Sequence, residues 1–400
     1  MSKNIYVTGL GMISAIGINI EESLQSVKQL KSGIGKLNHI ASRHKGIISV
    51  GEVKFSTNDL KDIAGLTSQI NFTRTALLGI IAAREAICSA NITDINLFKT
   101  GIISATSVGG MALAENHYLD CLNIEKNVDF LKYITTLDCS DSTERIADAL
   151  GITEFLSTIS TACSSSANAI MLGARLIKHG ILERVIVGGT DSLSRFTING
   201  FLTLKILDET PCRPFDANRN GLNLGEGAGF IVLESEKSAQ GKKILAQLTG
   251  YANSNDAYHQ TTSSPNGEGA YIAMKKSLEM SGLHISNIDY INAHGTGTEL
   301  NDLSEGMAIE RLFKDDLPPI SSTKSFTGHT LAAAGGIEAV LSVLAIQNNF
   351  IYPNLFFENA MPELHFKPES HLINSKKINN VLSNSFGFGG NTSSLIFSRN

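Results

Sequence analysis

The chain has 400 residues, of which 42% are hydrophobic, and a formal net charge of −5. Four hundred residues exceed what one core usually supports, so we expect two domains or a duplicated one. The acidic balance argues against nucleic-acid binding, and no apolar run is long enough to predict a membrane span. Because no secretory stretch is visible and the five cysteines are scattered without a CxxC pair, we expect a cytoplasmic protein without disulfides or zinc.

Strands and helices alternate along the first half of the chain. The apolar pattern predicts a helix over residues 68–90 and strands over 5–14, 101–106, 185–187 and 230–234. Gly9 and Gly11 in the first strand are reminiscent of a dinucleotide-binding fingerprint, but Ser14 holds the place of the third glycine. We therefore interpret this segment as a tight turn rather than a nucleotide site.

The second half repeats this alternation after a polar segment, residues 236–243, which we interpret as a linker. The pattern predicts helices over residues 270–280 and 331–347, and strands over 243–251, 290–293 and 394–397. The first of these strands resembles the opening strand of the chain, which suggests duplication. We predict parallel α/β layers in two units, residues 1–240 and 241–400.

Cys163 stands where a predicted strand, ending near Ile159, turns into a predicted helix. Unpaired N–H groups and the positive end of the helix dipole favour a thiolate over a thiol at such a turn, which would make the sulfur nucleophilic. The alternative is a buried structural cysteine. This stretch alone does not decide between the two.

Two histidines lie at predicted strand ends, among glycine and threonine residues. His294 follows an apolar strand, in a loop whose small side chains we expect not to bury it, and His329 precedes a small-residue helix. A single histidine is most often structural, but a pair at strand ends, where α/β folds carry their sites, indicates function. Metal binding is the rival use, and we expect none because no carboxylate or cysteine has a recognisable ligand spacing.

A thiolate with two imidazoles suits acyl transfer. The thiolate would attack a thioester while hydrogen-bond donors stabilise the oxyanion, and neutral imidazoles would hold a developing enolate. This combination fits carbon–carbon bond formation better than hydrolysis, for which one histidine usually suffices.

Phenylalanine and glycine alternate over residues 384–392 (NSFGFGGNT), which predicts a turn whose backbone N–H groups can face a ligand. Phe388 in this turn is either a mobile gate or a core plug. The alternation by itself favours the plug.

Four segments together resemble the elongating β-ketoacyl-acyl-carrier-protein synthases, the type II condensing enzymes and polyketide ketosynthases of the thiolase superfamily. The segments are residues 161–165 (TACSS), 292–298 (NAHGTGT), 324–329 (KSFTGH) and 384–390 (NSFGFGG). The likeness runs nearly end to end. It implies a thiolase fold, in which two similar βαβαβαββ halves form a five-layered αβαβα sandwich, the first half carrying the cysteine and the second the histidines and the gating loop.

The resemblance implies a role for each residue of the site. Cys163 accepts the acyl chain, and His294 and His329 promote decarboxylation of malonyl-carrier protein and stabilise the carbanion. Lys324 orders the site through a salt bridge to Glu338.

Further residues are implied to contact the substrates. The backbone N–H groups of Cys163 and Phe388 form the oxyanion hole, and Phe388 also gates the acyl and malonyl pockets. The remaining contacts implied are those of Thr296 and Thr298 with the pantetheine arm, and those of Val108 and Phe201 with the substrate.

Two positions bear on substrate choice. Val108 aligns with a pocket-wall position that limits chain length at the dimer interface, where valine leaves more room than isoleucine. The family usually has Gly-Gly-Thr-Asn after the gate, whereas this chain has Gly389-Gly390-Asn391-Thr392. We interpret the exchange as a sign of a specialised pathway, such as an aryl polyene or related pigment ketosynthase.

The expected reaction is a decarboxylative Claisen condensation of acyl and malonyl thioesters, in fatty acid or specialised biosynthesis. It implies no metal or redox cofactor, because phosphopantetheine arrives on the acyl carrier protein. The expected assembly is a homodimer, with a heterodimer containing a chain-length factor as the alternative. The rival function is that of the non-catalytic chain-length factor itself, which lacks the nucleophile that this chain keeps. A thiolase is disfavoured because its second catalytic cysteine lies near the C-terminus, and the last cysteine here is Cys212.

Overall fold

The computed structural model describes residues 4–66, 72–123, 128–374 and 377–400. Its strands are β1 (Tyr6–Ser14), β2 (Gly35–Lys36), β3 (Ser49–Val50), β4 (Thr100–Ala105), β5 (Phe155–Ile159), β6 (Arg184–Asp191), β7 (Gly227–Glu234), β8 (Ala246–Asn255), β9 (Tyr290–Asn292), β10 (Ile320–Ser321), β11 (Phe350–Ile351), β12 (Ile373–Asn374), β13 (Asn380–Gly387) and β14 (Asn391–Ser398). Its α-helices are α1 (Ile20–Lys28), α2 (Thr57–Ile63), α3 (Arg74–Ser89), α4 (Met111–Ala114), α5 (Tyr118–Cys121), α6 (Cys139–Leu150), α7 (Ser165–Lys178), α8 (Arg195–Thr203), α9 (Glu268–Ser281), α10 (Glu299–Phe313), α11 (Lys324–Thr327) and α12 (Ala334–Asn348).

Ten strands form one hydrogen-bonded array in the order β10-β9-β13-β14-β8-β1-β7-β6-β4-β5. Both halves of this order have the same topology, because in each the first strand is followed outward by the fifth, fourth, second and third strands of that half. The halves meet where β1 pairs with β8 over two residue pairs, Tyr6 with Gln247 and Val7 with Ala246. This shared topology confirms the predicted duplication, whereas the exact division at residue 240 stays a prediction.

The helices complete five layers. The first half of the array and the second half each form one sheet layer. Helices α3 and α6 pack on the outer face of the first layer, and α9 and α10 pack on the outer face of the second. Helices α7 and α12 lie between the sheets and contact strands of both halves. The αβαβα sandwich is therefore confirmed.

The central helix α12 is rich in apolar and small residues because it lies between the two sheet layers. All of its residues from Ala334 to Ile346 are buried. The stretch Leu331–Asn348 is long and apolar enough to cross a membrane, yet 89% of it is buried inside this protein. Its small residues permit close packing on β7, since a Cβ at Gly336 would lie 2.4 Å from the carbonyl oxygen of Gly229. Packing between two sheets therefore accounts for the apolar sequence.

Several predicted elements have different ends in the structure, for local reasons. The strand predicted over 243–251 continues to Asn255, because its pairing with β14 continues to that residue. The helix predicted over 331–347 begins as a 3₁₀ turn, and α12 starts only at Ala334. The helix predicted over 68–90 begins at Arg74, although residues 67–71 lie outside the described part of the chain.

Within each half, parallel strand pairing places the family segments together, directly after the carboxyl ends of the parallel strands. Strands β4, β5 and β6 run parallel in the first half, and β9, β10 and β13 run parallel in the second. The carboxyl ends of parallel strands lie together. Strands β5, β9, β10 and β13 are followed there by the segments that carry Cys163, His294, Lys324 and Phe388.

Candidate active site

Cys163 occupies a tight turn between β5 and α7. The residue before it, Ala162, has a φ of 52°, in the left-handed region that non-glycine residues seldom adopt. Ser165 holds the turn closed, since its hydroxyl accepts a hydrogen bond from the N–H of Thr161 at 2.8 Å and donates one to the carbonyl of Ala162 at 2.5 Å. The thiol is buried, with 7% of the residue exposed, and it lines a cavity.

Burial raises the pKa of the Cys163 thiol to about 11. The charge of Lys324 and the backbone N–H groups of Phe388 and of Cys163 itself lower this pKa, but they do not outweigh the loss of solvation. The result differs from the sequence-based expectation of a thiolate. The helix start does supply donors to the sulfur, but enclosure by the two halves of the protein, which no local pattern reveals, has the larger effect.

His294 is buried, contrary to the expectation that its small-residue loop would leave it open. Its ring meets that of His329 edge-on, with centroids 5.3 Å apart and planes at 87°, and lies 5.7 Å from the ring of Phe386. Both neighbours come from other segments of the chain. They fill the space that the small residues of the 294–298 loop leave.

Both imidazoles have their Nδ1 atom beside a hydrogen-bond donor. The ammonium of Lys324 lies 3.2 Å from Nδ1 of His294, and the backbone N–H of Leu331 donates to Nδ1 of His329 at 3.3 Å. Neither donor can accept a hydrogen bond, so each neutral ring carries its proton on Nε2. Burial lowers the pKa of both histidines well below the usual value, and the charge of Lys324 lowers both further. The site therefore holds two neutral imidazoles, each with an Nε2–H available to a ligand.

Lys324 and Glu338 form a buried ion pair, as the family resemblance implied. Their side chains are 2% and 3% exposed, respectively. Lys324 also donates a 2.6 Å hydrogen bond to the carbonyl oxygen of His294. Burial raises the pKa of the Glu338 carboxyl, an effect that the Lys324 charge opposes. The pair thus lies behind the histidines and holds a positive charge next to them.

Two buried carboxylates that sequence reasoning missed fix the His294 loop. Glu305 accepts hydrogen bonds from the backbone N–H groups of His294 and Gly295, at 2.9 and 2.8 Å. Asp302 accepts from the N–H groups of residues 296–297. Both carboxylates lie on one face of α10, three residues apart. That spacing, directly after a glycine-rich loop, is the signal that could have identified them.

Phe388 lies at the cavity wall beside Cys163. Its half-buried ring stacks on that of Phe201, with centroids 5.8 Å apart and planes at 18°. A side chain that plugged the core would be fully enclosed, whereas this one borders open space. The following residues Gly389 and Gly390 have φ values of 78° and 76°, which glycine adopts without strain.

One cavity of about 390 Å³ joins most of the predicted site residues. Those that line it are Cys163, His294, His329, Thr296, Thr298, Phe201 and Phe388. The hydroxyl oxygens of the two threonines lie 2.8 Å apart. Val108 is not among the lining residues; it packs with Phe201 against a neighbouring apolar cluster. The structure thus gathers most of the predicted residues around one cavity, whereas Val108, Lys324 and Glu338 do not line it.

The chain also matches known proteins along nearly its whole length. The family model described as "Beta-ketoacyl synthase, N-terminal domain" matches residues 2–239, and the model described as "Beta-ketoacyl synthase, C-terminal domain" matches residues 245–358. The putative mitochondrial 3-oxoacyl-[acyl-carrier-protein] synthase of Schizosaccharomyces pombe is 36% identical over 427 residues, covering 99% of each chain.

Two solved ketosynthase structures superpose over the full length of both chains. The ishigamide ketosynthase/chain length factor does so with a TM-score of 0.91 and 28% identity. A type II polyketide acyl-carrier protein in complex with its ketosynthase, AntDE:AntF, does so with a TM-score of 0.87 and 26% identity. The predicted family and fold are confirmed, and the reading as a non-catalytic partner subunit is not favoured. The chain belongs to the β-ketoacyl synthase family and is a condensing enzyme of fatty acid or polyketide synthesis.

Proposed function

We propose that Cys163 accepts an acyl chain from a carrier-protein thioester and that His294 and His329 direct its condensation with malonyl-carrier protein. The observation that carries this proposal is the position of one thiol and two neutral imidazoles around a single cavity. The proposed partner is an acyl carrier protein, whose phosphopantetheine arm would lie along Thr296 and Thr298.

In the first step, the sulfur of Cys163 attacks the thioester carbonyl and the pantetheine sulfur leaves. The oxyanion would lie between the backbone N–H groups of Cys163 and Phe388, which both lower the pKa of the Cys163 thiol. The histidines do not serve as the base, because each Nδ1 faces a donor and each Nε2 already carries a proton. The pantetheine sulfur therefore departs as a thiolate, and the proton lost by the Cys163 thiol reaches it by way of solvent to give the pantetheine thiol.

In the second step, the Nε2–H groups of His294 and His329 would hold the thioester oxygen of the malonyl group. Loss of CO₂ leaves an enolate on that oxygen, and two neutral donors stabilise it without having to change protonation state. The enolate carbon attacks the acyl group on Cys163 and expels the cysteine sulfur. A lysine charge nearby favours each stage that develops negative charge.

As the substrate we propose a specialised acyl chain, such as a polyenoyl chain. As the assembly we propose a homodimer, because the chain exposes apolar side chains. Strand β5 forms one end of the ten-stranded array, and Leu156 on it is exposed. Further exposed apolar side chains on and beside α5 are Tyr118, Leu119 and Leu122. Exposed apolar side chains such as these favour contact with a partner subunit. Sedimentation of the purified chain should give twice the monomer mass; a monomer that pairs only with a chain-length factor would support the heterodimer.

The proposed reaction is tested by incubating the enzyme with malonyl-carrier protein and a panel of saturated and polyenoyl carrier proteins. We expect a β-ketoacyl product longer by two carbons, with release of CO₂. Preference for polyenoyl chains would support the specialised pathway, and preference for saturated chains would support a fatty-acid role. Failure of every acyl chain to give product would contradict the proposed function.

A further inference from the structure

Asn391 lies where the gating loop, residues 387–390, returns into the sheet. It is the first residue of β14 and follows Phe388 by three positions. Its strand neighbours are Gly387 in β13 and Asn255 in β8. This residue therefore closes the gating loop at its C-terminal end.

The side-chain oxygen of Asn391 lies within hydrogen-bond distance of three donors, of which Ser164 shares its single hydroxyl hydrogen between Asn391 and the carbonyl oxygen of Thr161. The donors are the hydroxyl of Ser164 at 2.7 Å, the amide of Asn168 at 2.9 Å and the amide of Asn253 at 2.7 Å. Ser164 directly follows Cys163, and Asn168 lies in the first turn of α7. Two of the three donors therefore belong to the segment that carries the nucleophile.

These two donors also hold the other side of the nucleophile turn. The amide of Asn168 donates to the hydroxyl of Thr161 at 2.8 Å, and the hydroxyl of Ser164 lies 2.7 Å from the carbonyl oxygen of Thr161. Asn391 is thus bonded into a network that spans the residues before and after Cys163. A side chain whose oxygen is approached by several donors is held in one position, because each hydrogen bond limits the movement that the others would allow.

The gating loop needs such a link because its glycine residues have no side chains that could bond to the nucleophile turn. Gly387 lies close to the nucleophile, since a Cβ there would be 3.1 Å from the backbone nitrogen of Cys163. Gly389 and Gly390 hydrogen-bond instead to residues 255–260 of the second half. The side chain of Asn391 is therefore a direct polar connection from the end of the loop to α7.

Resting on the proposed function, we propose that Asn391 is a positioning residue for the oxyanion hole. The two oxyanion donors come from different segments, the N–H of Cys163 from the start of α7 and the N–H of Phe388 from the gating loop. Their separation depends on what joins the two segments. Asn391 joins them, and so sets the direction of the Phe388 N–H relative to the sulfur.

Two rates measured on Cys163 test this proposal. Acylation by an acyl-carrier protein requires the oxyanion hole, whereas alkylation by iodoacetamide uses the same sulfur and forms no oxyanion. The ratio of the two rates therefore reports the oxyanion hole separately from the reactivity of the thiol. We compare the wild type with Asn391→Leu, which has no acceptor, and Asn391→Asp, which keeps one. The matched control is Ser393→Ala, because Ser393 bonds to Asn168 and Asn253 without contacting Ser164.

We expect Asn391→Leu to lower the ratio of acylation to alkylation about tenfold, less than loss of an oxyanion donor costs. Asn391→Asp and Ser393→Ala should stay within about twofold of the wild type, because the acceptor to Ser164 is kept. An unchanged ratio in Asn391→Leu, which includes an equal loss of both rates, would overturn the proposal. An equal effect of all three substitutions on the ratio would also overturn it.

If Asn391→Leu does not fold, as judged by circular dichroism, Asn391→Ala provides the same comparison. Failure of the proposed function itself gives a different result, since the wild type would then not be acylated on Cys163 by any carrier protein.

Discussion

The ammonium of Lys324 lies 3.2 Å from Nδ1 of His294 and donates a 2.6 Å hydrogen bond to the carbonyl oxygen of the same residue. This contact fixes the ring with its proton on Nε2. The charge also lowers the pKa of His294 and of His329, in the same direction as their burial. Burial, supported by the charge of Lys324, thus keeps both imidazoles neutral, and Glu338 balances that charge.

Replacement of Lys324 by methionine should destabilise the protein, because Glu338 would remain buried without its partner. Breaking a buried pair in this way costs about 3–5 kcal/mol of unfolding free energy. The double variant Lys324→Met, Glu338→Gln should recover most of this loss in urea unfolding, while condensation stays impaired in both. A double variant no more stable than Lys324→Met would contradict the role given to the pair.

The two half-reactions should respond differently to loss of the histidines. In His294→Ala or His329→Ala, decarboxylation of malonyl-carrier protein should fall by about a hundredfold or more, because an enolate donor is lost. Acylation of Cys163 should change only slightly, since neither ring acts as its base. The exposed His284, in a surface turn, offers a matched control, and His284→Ala should leave both rates unchanged. Equal loss of acylation and decarboxylation would contradict this division.

Alkylation of Cys163 by iodoacetamide should rise with pH throughout the range from about pH 7 to pH 9. Burial raises the pKa of this thiol to about 11, so the reactive thiolate remains a minor species that increases about tenfold per pH unit. The measurement follows the Cys163 peptide by mass spectrometry, with the exposed Cys88 as an internal comparison. A plateau below pH 8 would show instead that the helix start lowers the pKa, as the sequence favoured.

Replacement of Val108 by phenylalanine should shift acylation toward shorter chains. Val108 packs against the same apolar cluster as Phe201, whose ring stacks on the Phe388 gate, so we expect added volume at Val108 to reduce the space available behind the gate. A panel of acyl-carrier proteins of increasing length measures the shift, and Val108→Ile, which adds one methylene, should give a smaller one. An unchanged preference in Val108→Phe would remove Val108 from the acyl pocket.

Much of the fold follows from the sequence, because the spacing of apolar residues and the ends of strands are properties of the local sequence. Alternating strands and helices predicted the layers, and the predicted strand ends placed Cys163 and His294 directly after strands. The burial of His294 could not be predicted in this way, since His329 and Phe386 approach it from distant segments. The raised pKa of Cys163 could not be predicted for the same reason, because donors are visible in the local sequence and enclosure is not.

The exchanged pair Asn391-Thr392 is a similar case. The sequence shows that an asparagine stands beside the gating loop, but its three donors come from the residue before α7, from α7 itself and from β8. Only the packed structure places these segments together. The carboxylates of Asp302 and Glu305 on α10 could be predicted in part. Their spacing is visible in the sequence, but the sequence does not show that they bond to the His294 loop.

The most direct test of the central claim is the intact mass of the wild type and of Cys163→Ala after incubation with a panel of acyl-carrier proteins. We expect that the wild type gains the mass of one acyl group, which malonyl-carrier protein then removes as product, and that Cys163→Ala gains none. Acylation of both proteins, or of neither across the whole panel, would contradict the assignment of Cys163 as the nucleophile of a condensing enzyme.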